Sequence, residues 1–167
     1  MRFSDCHLAP FIKMNADPEV MVHFPAPYTA AQTTGHFERS KAHWDKHGFG
    51  LFALERLDTG EFIGFTGLTH PPYKTPFSPC VEIGWRLNRN AWGHGYAFEA
   101  AQACLERGVG PLGLAEIVSF TARENLRSQS LMQRLAMKTD AAEDFKHPML
   151  EKGHPLSWHV LYRLAKP

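Results

Sequence analysis

The sequence predicts an α/β fold, a mixed sheet carrying helices on both faces. Three observations point there. Helical spacing and cap signals fill residues 8–48; alternating apolar and polar residues then mark a hairpin; from residue 81 onward strand and helix patterns take turns. That alternation in the second half, after a hairpin in the first, implies a sheet with more than one kind of strand pairing.

The elements follow in chain order. Arg2-Phe3 runs at once into polar residues, so any first strand is a stub. Leu8, Phe11, Ile12 and Met14 have helical spacing. Asp17-Pro18-Glu19 reads as a second helix start, with Asp17 as cap and Pro18 in the first turn, running through Val20, Met21 and Phe24 until Pro25 and Pro27 stop it. Thr29 with Gln32 forms a capping box for a longer helix that passes Phe37 and Trp44 and ends at Gly48. Residues 49–55 and 61–68, joined by Arg56-Leu57-Asp58-Thr59-Gly60, are the strands of a hairpin. The stretch 70–79 holds Pro71, Pro72, Pro76 and Pro79, so it is a rigid surface loop. Residues 81–87 alternate as a strand, 98–107 form an alanine-rich helix, 116–121 a further strand and 125–135 a helix. Residues 138–145 and 159–164 are expected to be the last two strands.

Composition excludes whole classes of function. The chain has 167 residues, the length of one ordinary domain, and residues 1–167 are read as a single unit. Hydrophobic residues at 44% and charged residues at 21% exclude a disordered chain. Lys plus Arg at 18 against Asp plus Glu at 17 argues against a nucleic-acid partner gripped by a broad cationic face. No apolar run reaches the roughly 18 residues that span a bilayer, and the first residues lack a secretory core. Cys6, Cys80 and Cys104 are odd in number and far apart, which suits a reducing, cytoplasmic setting rather than a disulfide framework. A monomer or homodimer without nucleic-acid or membrane partners is the expectation.

The informative stretch is Asn88-Arg89-Asn90-Ala91-Trp92-Gly93-His94-Gly95-Tyr96-Ala97, which joins a strand to a helix. Glycines two apart let the backbone turn tightly, and the helix that follows offers free N–H groups and a positive dipole end. These features fit a phosphate cradle, and they also fit an ordinary tight turn. A P-loop is excluded because no Gly-Lys-Ser/Thr occurs. A dinucleotide fingerprint is excluded because Phe98 stands where its third glycine would be.

Here the chain resembles a family. Glu82-Ile83-Gly84-Trp85-Arg86-Leu87 followed by Trp92-Gly93-His94-Gly95-Tyr96-Ala97-Phe98-Glu99-Ala100 looks like the acetyl-CoA loop of the GCN5-related N-acetyltransferases (GNAT). Among these the chain is most similar to the ribosomal-protein N-terminal acetyltransferases. A second element follows at the matching distance: Glu124-Asn125-Leu126-Arg127-Ser128, then Leu131-Met132-Gln133-Arg134-Leu135-Ala136-Met137. The likeness extends upstream to Asn15-Ala16-Asp17-Pro18 and downstream to His147-Pro148 and Gly153-His154-Pro155-Leu156. Three departures stand out. Asn90 replaces the usual Gln or Arg, Ala136 replaces a glycine in a turn that favours positive φ, and the family's first strand is nearly absent.

The resemblance implies a GNAT-like sheet, mostly antiparallel and twisted, with its first strand short or missing. It also implies transfer of an acetyl group from acetyl-CoA to a primary amine, the acceptor being a small molecule or a peptide. It places the cofactor on Trp85, Leu87, Trp92, Gly93, His94, Gly95, Tyr96, Ala97, Asn125 and Arg127, with the backbone of His94 mattering more than its ring. Arg89, Arg123 and Arg134 are further candidates for the CoA 3′-phosphate, or else solvated charges. For catalysis it suggests Ser128 as general acid, Glu82 as base, and Asn125 as a helix cap that also touches the amine site. A salt bridge to Arg86 is the competing reading of Glu82. A non-catalytic acyl-CoA sensor is the competing reading of the whole. The ten histidines include His43 and His47 at helical spacing, but no Cys or carboxylate joins them in a zinc pattern, so no metal is expected. Cys104, in an alanine-rich face, is expected to be core.

Overall fold

The computed structural model describes residues 1–166. A 3-10 turn at Asp5–His7 leads into α1 (Leu8–Asn15), and α2 (Ala30–His47) follows. The hairpin is β1 (Leu51–Glu55) and β2 (Phe62–Thr69), and the second half runs β3 (Glu82–Leu87), α3 (Tyr96–Val109), β4 (Glu116–Ala122) and α4 (Leu126–Arg134). The chain closes with β5 (Lys138–Thr139), β6 (Phe145–Lys146) and β7 (Trp158–Ala165).

All seven strands join one sheet in the order β1-β2-β3-β4-β7-β5, with β6 also on β7. Every pairing is antiparallel except β3 with β4. This is the GNAT-like mixed sheet implied above. The first strand is a stub: Arg2 makes one bridge to Phe52, and the Met1 ammonium donates to the Ala53 carbonyl at 3.1 Å.

Alternation along the strands builds two cores, one on each face. On one face Leu68, Ile83 and Ile117 pack against Ala101, Leu105 and Met132 of α3 and α4. On the other, Phe62 and Phe65 pack against Phe11, Met14 and Phe37 of α1 and α2. Cys104 is buried in the first core, and burial pushes its thiol up to about 11. Helix α2 has the cap its sequence specifies: Gln32 N–H donates to Thr29 Oγ1 at 3.2 Å, Thr29 N–H donates to Gln32 Oε1 at 2.8 Å, and Gly48 closes it at φ 71°.

Two expectations need correction. Residues 17–24 form successive turns, not a helix. Asp17 does cap Glu19 N–H at 2.8 Å, but Pro25 stops the chain after two turns, too few to sustain a helix. Residues 138–145 are not one strand. Asp140 Oδ1 accepts from Ala142 N–H at 2.9 Å and starts a 3-10 turn that separates β5 from β6. Ala136 does take a positive φ of 60°, and Met137 N–H reaches back to Met132 O at 3.1 Å, as in a glycine-type helix ending. An alanine there costs about 1–2 kcal/mol.

Gly64 (φ 143°) lies where β2 meets β3 most closely: a Cβ there would run into the Arg86 carbonyl oxygen and stand 2.7 Å from Leu87 Cα. Gly64→Ala is therefore expected to destabilise the fold by about 3 kcal/mol, combining overpacking with backbone strain. The urea midpoint of unfolding measures this; an unchanged midpoint refutes it. No described helix is long and apolar enough to cross a membrane.

Candidate functional site

The site begins with a gap in the sheet. Strands β3 and β4 are in register at a single pair, Glu82 with Val118. Val118 N–H donates to Val81 O at 2.9 Å, and the next rung is replaced by a side chain, Ser119 Oγ donating to Ile83 O at 2.9 Å. Beyond that rung the strands diverge. Because backbone groups alternate sides along a strand, Trp85 and Leu87 point the same way as Val81 and Ile83, into the gap. Leu87 O accepts from Trp92 Nε1 at 2.9 Å. The N–H and C=O of Trp85 and the Leu87 N–H are left facing an opening without a strand partner, an arrangement suited to an extended amide-containing chain.

The glycine loop stands at the open end. Gly93 (φ 81°) and Gly95 (φ 85°) both need the left-handed conformation, and a Cβ on either would meet nothing within 4 Å. The loop thus has an unfilled side. Gly95 is the cap of α3, and its carbonyl accepts from Phe98 and Glu99. The Tyr96 and Ala97 N–H groups precede the first intrahelical bond and so have no partner within the helix. His94 stacks on Tyr96 with ring centroids 5.5 Å apart. Asn90 Nδ2 donates to Glu61 Oε1 at 3.3 Å, bracing the loop onto the hairpin.

Trp92 lies between two guanidinium groups, Arg89 at 4.9 Å and Arg127 at 4.4 Å from the ring centroid. Arg89 also pairs with Glu19 at 2.8 Å. Arg123 pairs with Asp144 at 2.8 Å, and Arg134 stacks on Phe98 at 4.5 Å. Arg127, from the first turn of α4, thus lies on Trp92 beside the loop. At the α4 N-terminus Asn125 Oδ1 accepts from Ser128 N–H at 3.2 Å, and Asn125 Nδ2 donates to Thr121 Oγ1 at 2.9 Å. Both ends of the Asn125 amide are engaged in structure. Ser128 contributes its N–H to that cap, and its half-buried hydroxyl sits on the first turn of α4.

The opposite face of β3 carries Glu82, Gly84 and Arg86. Glu82 does not pair with Arg86: that guanidinium donates to Asn15 Oδ1 at 2.6 Å and stacks on Phe24 at 4.1 Å. Glu82 keeps some outer surface, yet its carboxyl sits in dry surroundings, and desolvation pushes its pKa up to about 8. Tyr73, from the proline-rich loop, lies within electrostatic reach of Glu82 and Tyr28, and burial raises its phenol. His147 accepts from Met149 N–H through Nδ1 at 3.3 Å, so its Nε2–H donates to the Tyr73 oxygen at 2.9 Å. Burial holds His147 down at about 4, so the ring stays neutral. His147 and His159 rings are 4.7 Å apart beside Phe120.

Sequence reading passed over Tyr28, Tyr73, His147 and Arg86 as site residues. They come from four separate segments, and no spacing links them. His43, His47 and His70 also gather, with centroids 4.5–5.7 Å apart. Both nitrogens of His43 are used, Nδ1 on Phe49 O and Nε2 on His70 N–H. Among the described residues no group of three or more His, Cys, Asp or Glu side chains is placed to hold a metal ion.

Comparisons with known proteins bear on the family and the fold. A family model described as Acetyltransferase (GNAT) domain matches residues 2–138. The FsC-acetyl coenzyme A-N(2)-transacetylase of Aspergillus fumigatus is 31% identical over 128 residues, covering 72% of this chain and 54% of that protein. This chain thus spans about half the length of that relative. A crystal structure of an acetyltransferase from Agrobacterium tumefaciens is 27% identical, with a TM-score of 0.77 over 97% of this chain and 86% of that one. Spermidine N-acetyltransferase from Vibrio cholerae, solved with CoA and spermine, has a TM-score of 0.77 over 99% of this chain and 94% of its own. At 16% identity it bears on the fold alone.

Proposed function

The chain belongs to the GNAT acetyltransferase family and is an acyl-CoA-dependent N-acetyltransferase; from that premise we propose that it moves the acetyl group of acetyl-CoA directly to a primary amine held against the Glu82 face of β3. The observation that carries this reading is the gap between β3 and β4. Its open Trp85 and Leu87 backbone lies beside the unfilled glycine loop, so one extended ligand with a phosphate end can use both.

In this proposal the pantetheine amides pair with Trp85 and Leu87. The phosphates lie over Trp92, Gly93, His94, Gly95, Tyr96 and Ala97, where backbone N–H groups and the α3 dipole favour negative charge. Arg127 adds a full positive charge at the same end. The amine must lose a proton to attack, and Glu82 takes it. Nitrogen then bonds to the thioester carbon, the C–S bond breaks, Ser128 Oγ–H protonates the leaving thiolate, and the second proton shed by the nitrogen restores the Ser128 hydroxyl, leaving the amide and the free thiol. The role of Asn125 in this scheme is to hold Ser128 through the cap.

The acceptor is a protein N-terminus or a small-molecule amine. The spermine in the Vibrio cholerae structure shows an amine in a similar fold, while the formal charge of +1 gives this chain no steering field for a polycation. Three free cysteines suit a cytoplasmic setting.

Calorimetry with acetyl-CoA, alongside a thiol-release assay over a panel of amines, tests the reading. Binding plus turnover of at least one amine supports it. Binding without turnover converts the chain into a sensor, and no binding removes both readings. Ser128→Ala is expected to lower kcat by roughly 10²-fold, the lower range for loss of a general acid, with acetyl-CoA affinity retained. Unchanged turnover across the whole pH range would remove Ser128 from the mechanism.

A further inference from the structure

Arg86 is a buried cation that the chemistry above does not use. It is 9% exposed, and desolvation lowers its pKa to about 10, so it stays charged at neutral pH. Among the described residues no carboxylate lies within ion-pair distance of it, and its Nε has no hydrogen-bond partner. A buried charge without an anion is costly unless other groups stabilise it.

Most of those other groups belong to one segment. Nη1 donates to Asn15 Oδ1 at 2.6 Å, at the end of α1. The guanidinium lies 4.1 Å from the Phe24 ring centroid, 5.4 Å from Tyr28 and 5.6 Å from Phe65. A desolvated cation over aromatic faces gains about 2 kcal/mol or more. Asn15 in turn accepts Tyr28 N–H through its backbone oxygen at 2.9 Å and donates from Nδ2 to Thr33 Oγ1 at 3.4 Å. Residues 16–28 hold no helix or strand of their own. Their hold on β3 therefore runs through side chains, with Arg86 at the centre.

Through Phe24 and Tyr28, stacked on Arg86, that segment lies over the face of β3 that also carries Glu82. At one end Tyr28 is within electrostatic reach of Tyr73, which in turn feels Glu82. Near its middle His23 feels Glu124 and Arg127 at the start of α4. The segment therefore covers the Arg86 end of that face, with His23 within electrostatic reach of the α4 N-terminus.

We propose that Arg86 is a positioning residue for the acceptor side: its guanidinium clasps residues 16–28 onto β3, so that Tyr28 is held over the face of β3 that carries Glu82 and the segment forms a wall of the amine site. Naming that side the amine site rests on the acetyltransferase reading; the clasp itself does not. Arg86 touches neither the β3–β4 gap nor the glycine loop, so its effect is confined to the acceptor half.

The test compares the full chain with Arg86→Met, in which an apolar side chain of similar length replaces a buried charge and folding is often unharmed. Deuterium uptake is followed by segment, acetyl-CoA affinity by calorimetry, and thiol release with three probe amines: spermidine, benzylamine and a peptide with a free N-terminal serine. The expected result is uptake at residues 17–28 at least about ten-fold faster, with α3 uptake and acetyl-CoA Kd unchanged. For any probe that is turned over, KM rises at least about ten-fold with kcat little altered. Arg86→Lys keeps the charge but loses the planar stack, so it restores the protection only in part. Phe24→Leu removes a stacking face from a half-buried position and reproduces the loosening if Arg86→Met fails to fold.

Unchanged uptake at residues 17–28 in both Arg86→Met and Phe24→Leu overturns the clasp. So does loosening shared equally by α3 together with weakened acetyl-CoA binding, which marks a general structural role. If the parent chain binds no acetyl-CoA, the acetyltransferase reading fails on its own, and the uptake data still decide the clasp.

Discussion

Glu82→Gln is expected to slow acetyl transfer by roughly 10²–10⁴-fold, the range for loss of a general base, while leaving acetyl-CoA affinity nearly unchanged. Desolvation raises this carboxyl to about 8. The base is the ionised form, so the parent enzyme should gain kcat/KM as pH rises and level off above about 8. The variant should lose that limb. The same shift has a consequence for stability. In the unfolded chain the carboxyl titrates near an ordinary glutamate value of about 4.3. The folded state holds the proton more tightly, so folding takes up a proton between that value and about 8, and stability falls as pH rises through the window. Replacing Glu82 by the neutral glutamine removes the cost of a buried charge. The variant should therefore melt higher than the parent at pH 9 and about equally at pH 4. A slow enzyme with no such stability gain would mean that Glu82 is not desolvated. A stable enzyme at full speed would mean that another base acts.

The second large effect is at the glycine loop. Gly95→Ala is expected to raise the acetyl-CoA Kd at least about ten-fold. Gly95 caps α3 at φ 85°, and a Cβ there would project into the unfilled side of the loop. Left-handed backbone costs a non-glycine residue about 1–2 kcal/mol, which for a chain of this size lowers the melting temperature by only a few degrees. Gly60→Ala is the control. It sits at φ 70° in the β1–β2 turn, with nothing within 4 Å of its Cβ position. The control should show a comparable stability loss with no change in acetyl-CoA binding. Equal affinity in Gly95→Ala and the parent would place the phosphates elsewhere.

What was legible in the sequence was local. Thr29, Gln32 and Gly48 specify both ends of α2, and alternation through Ile83, Trp85 and Leu87 specifies β3, because caps and pleats depend on residues a few positions apart. The two linked motifs around Gly93 and Asn125 gave the family. Even the strained Ala136 turn was readable, since a helix ending has few geometries. Where local signals competed, they misled. Asp17-Pro18 opens a helix by every cap rule, but the prolines at 25 and 27 leave it no length. Asp140 folded the expected strand 138–145 on itself through one Asx hydrogen bond.

The sequence by itself thus determined the order of the main helices and strands and the family, and it singled out the glycine loop. The tertiary structure alone decided the surroundings of Glu82 and Arg86. Glu82 and Arg86 share a face of one strand and look like a salt-bridged pair. The fold sends Arg86 to Asn15, Phe24 and Tyr28 and brings Tyr73 toward Glu82. The reason is physical. Strand spacing sets which face a side chain takes, but its partners there come from other segments, as Asn15 reaches Arg86 from 71 positions away. Their arrival depends on the packing of two cores rather than on any periodic pattern. The desolvation that raises the Glu82 carboxyl arises in the same way, from walls that the chain assembles only when folded.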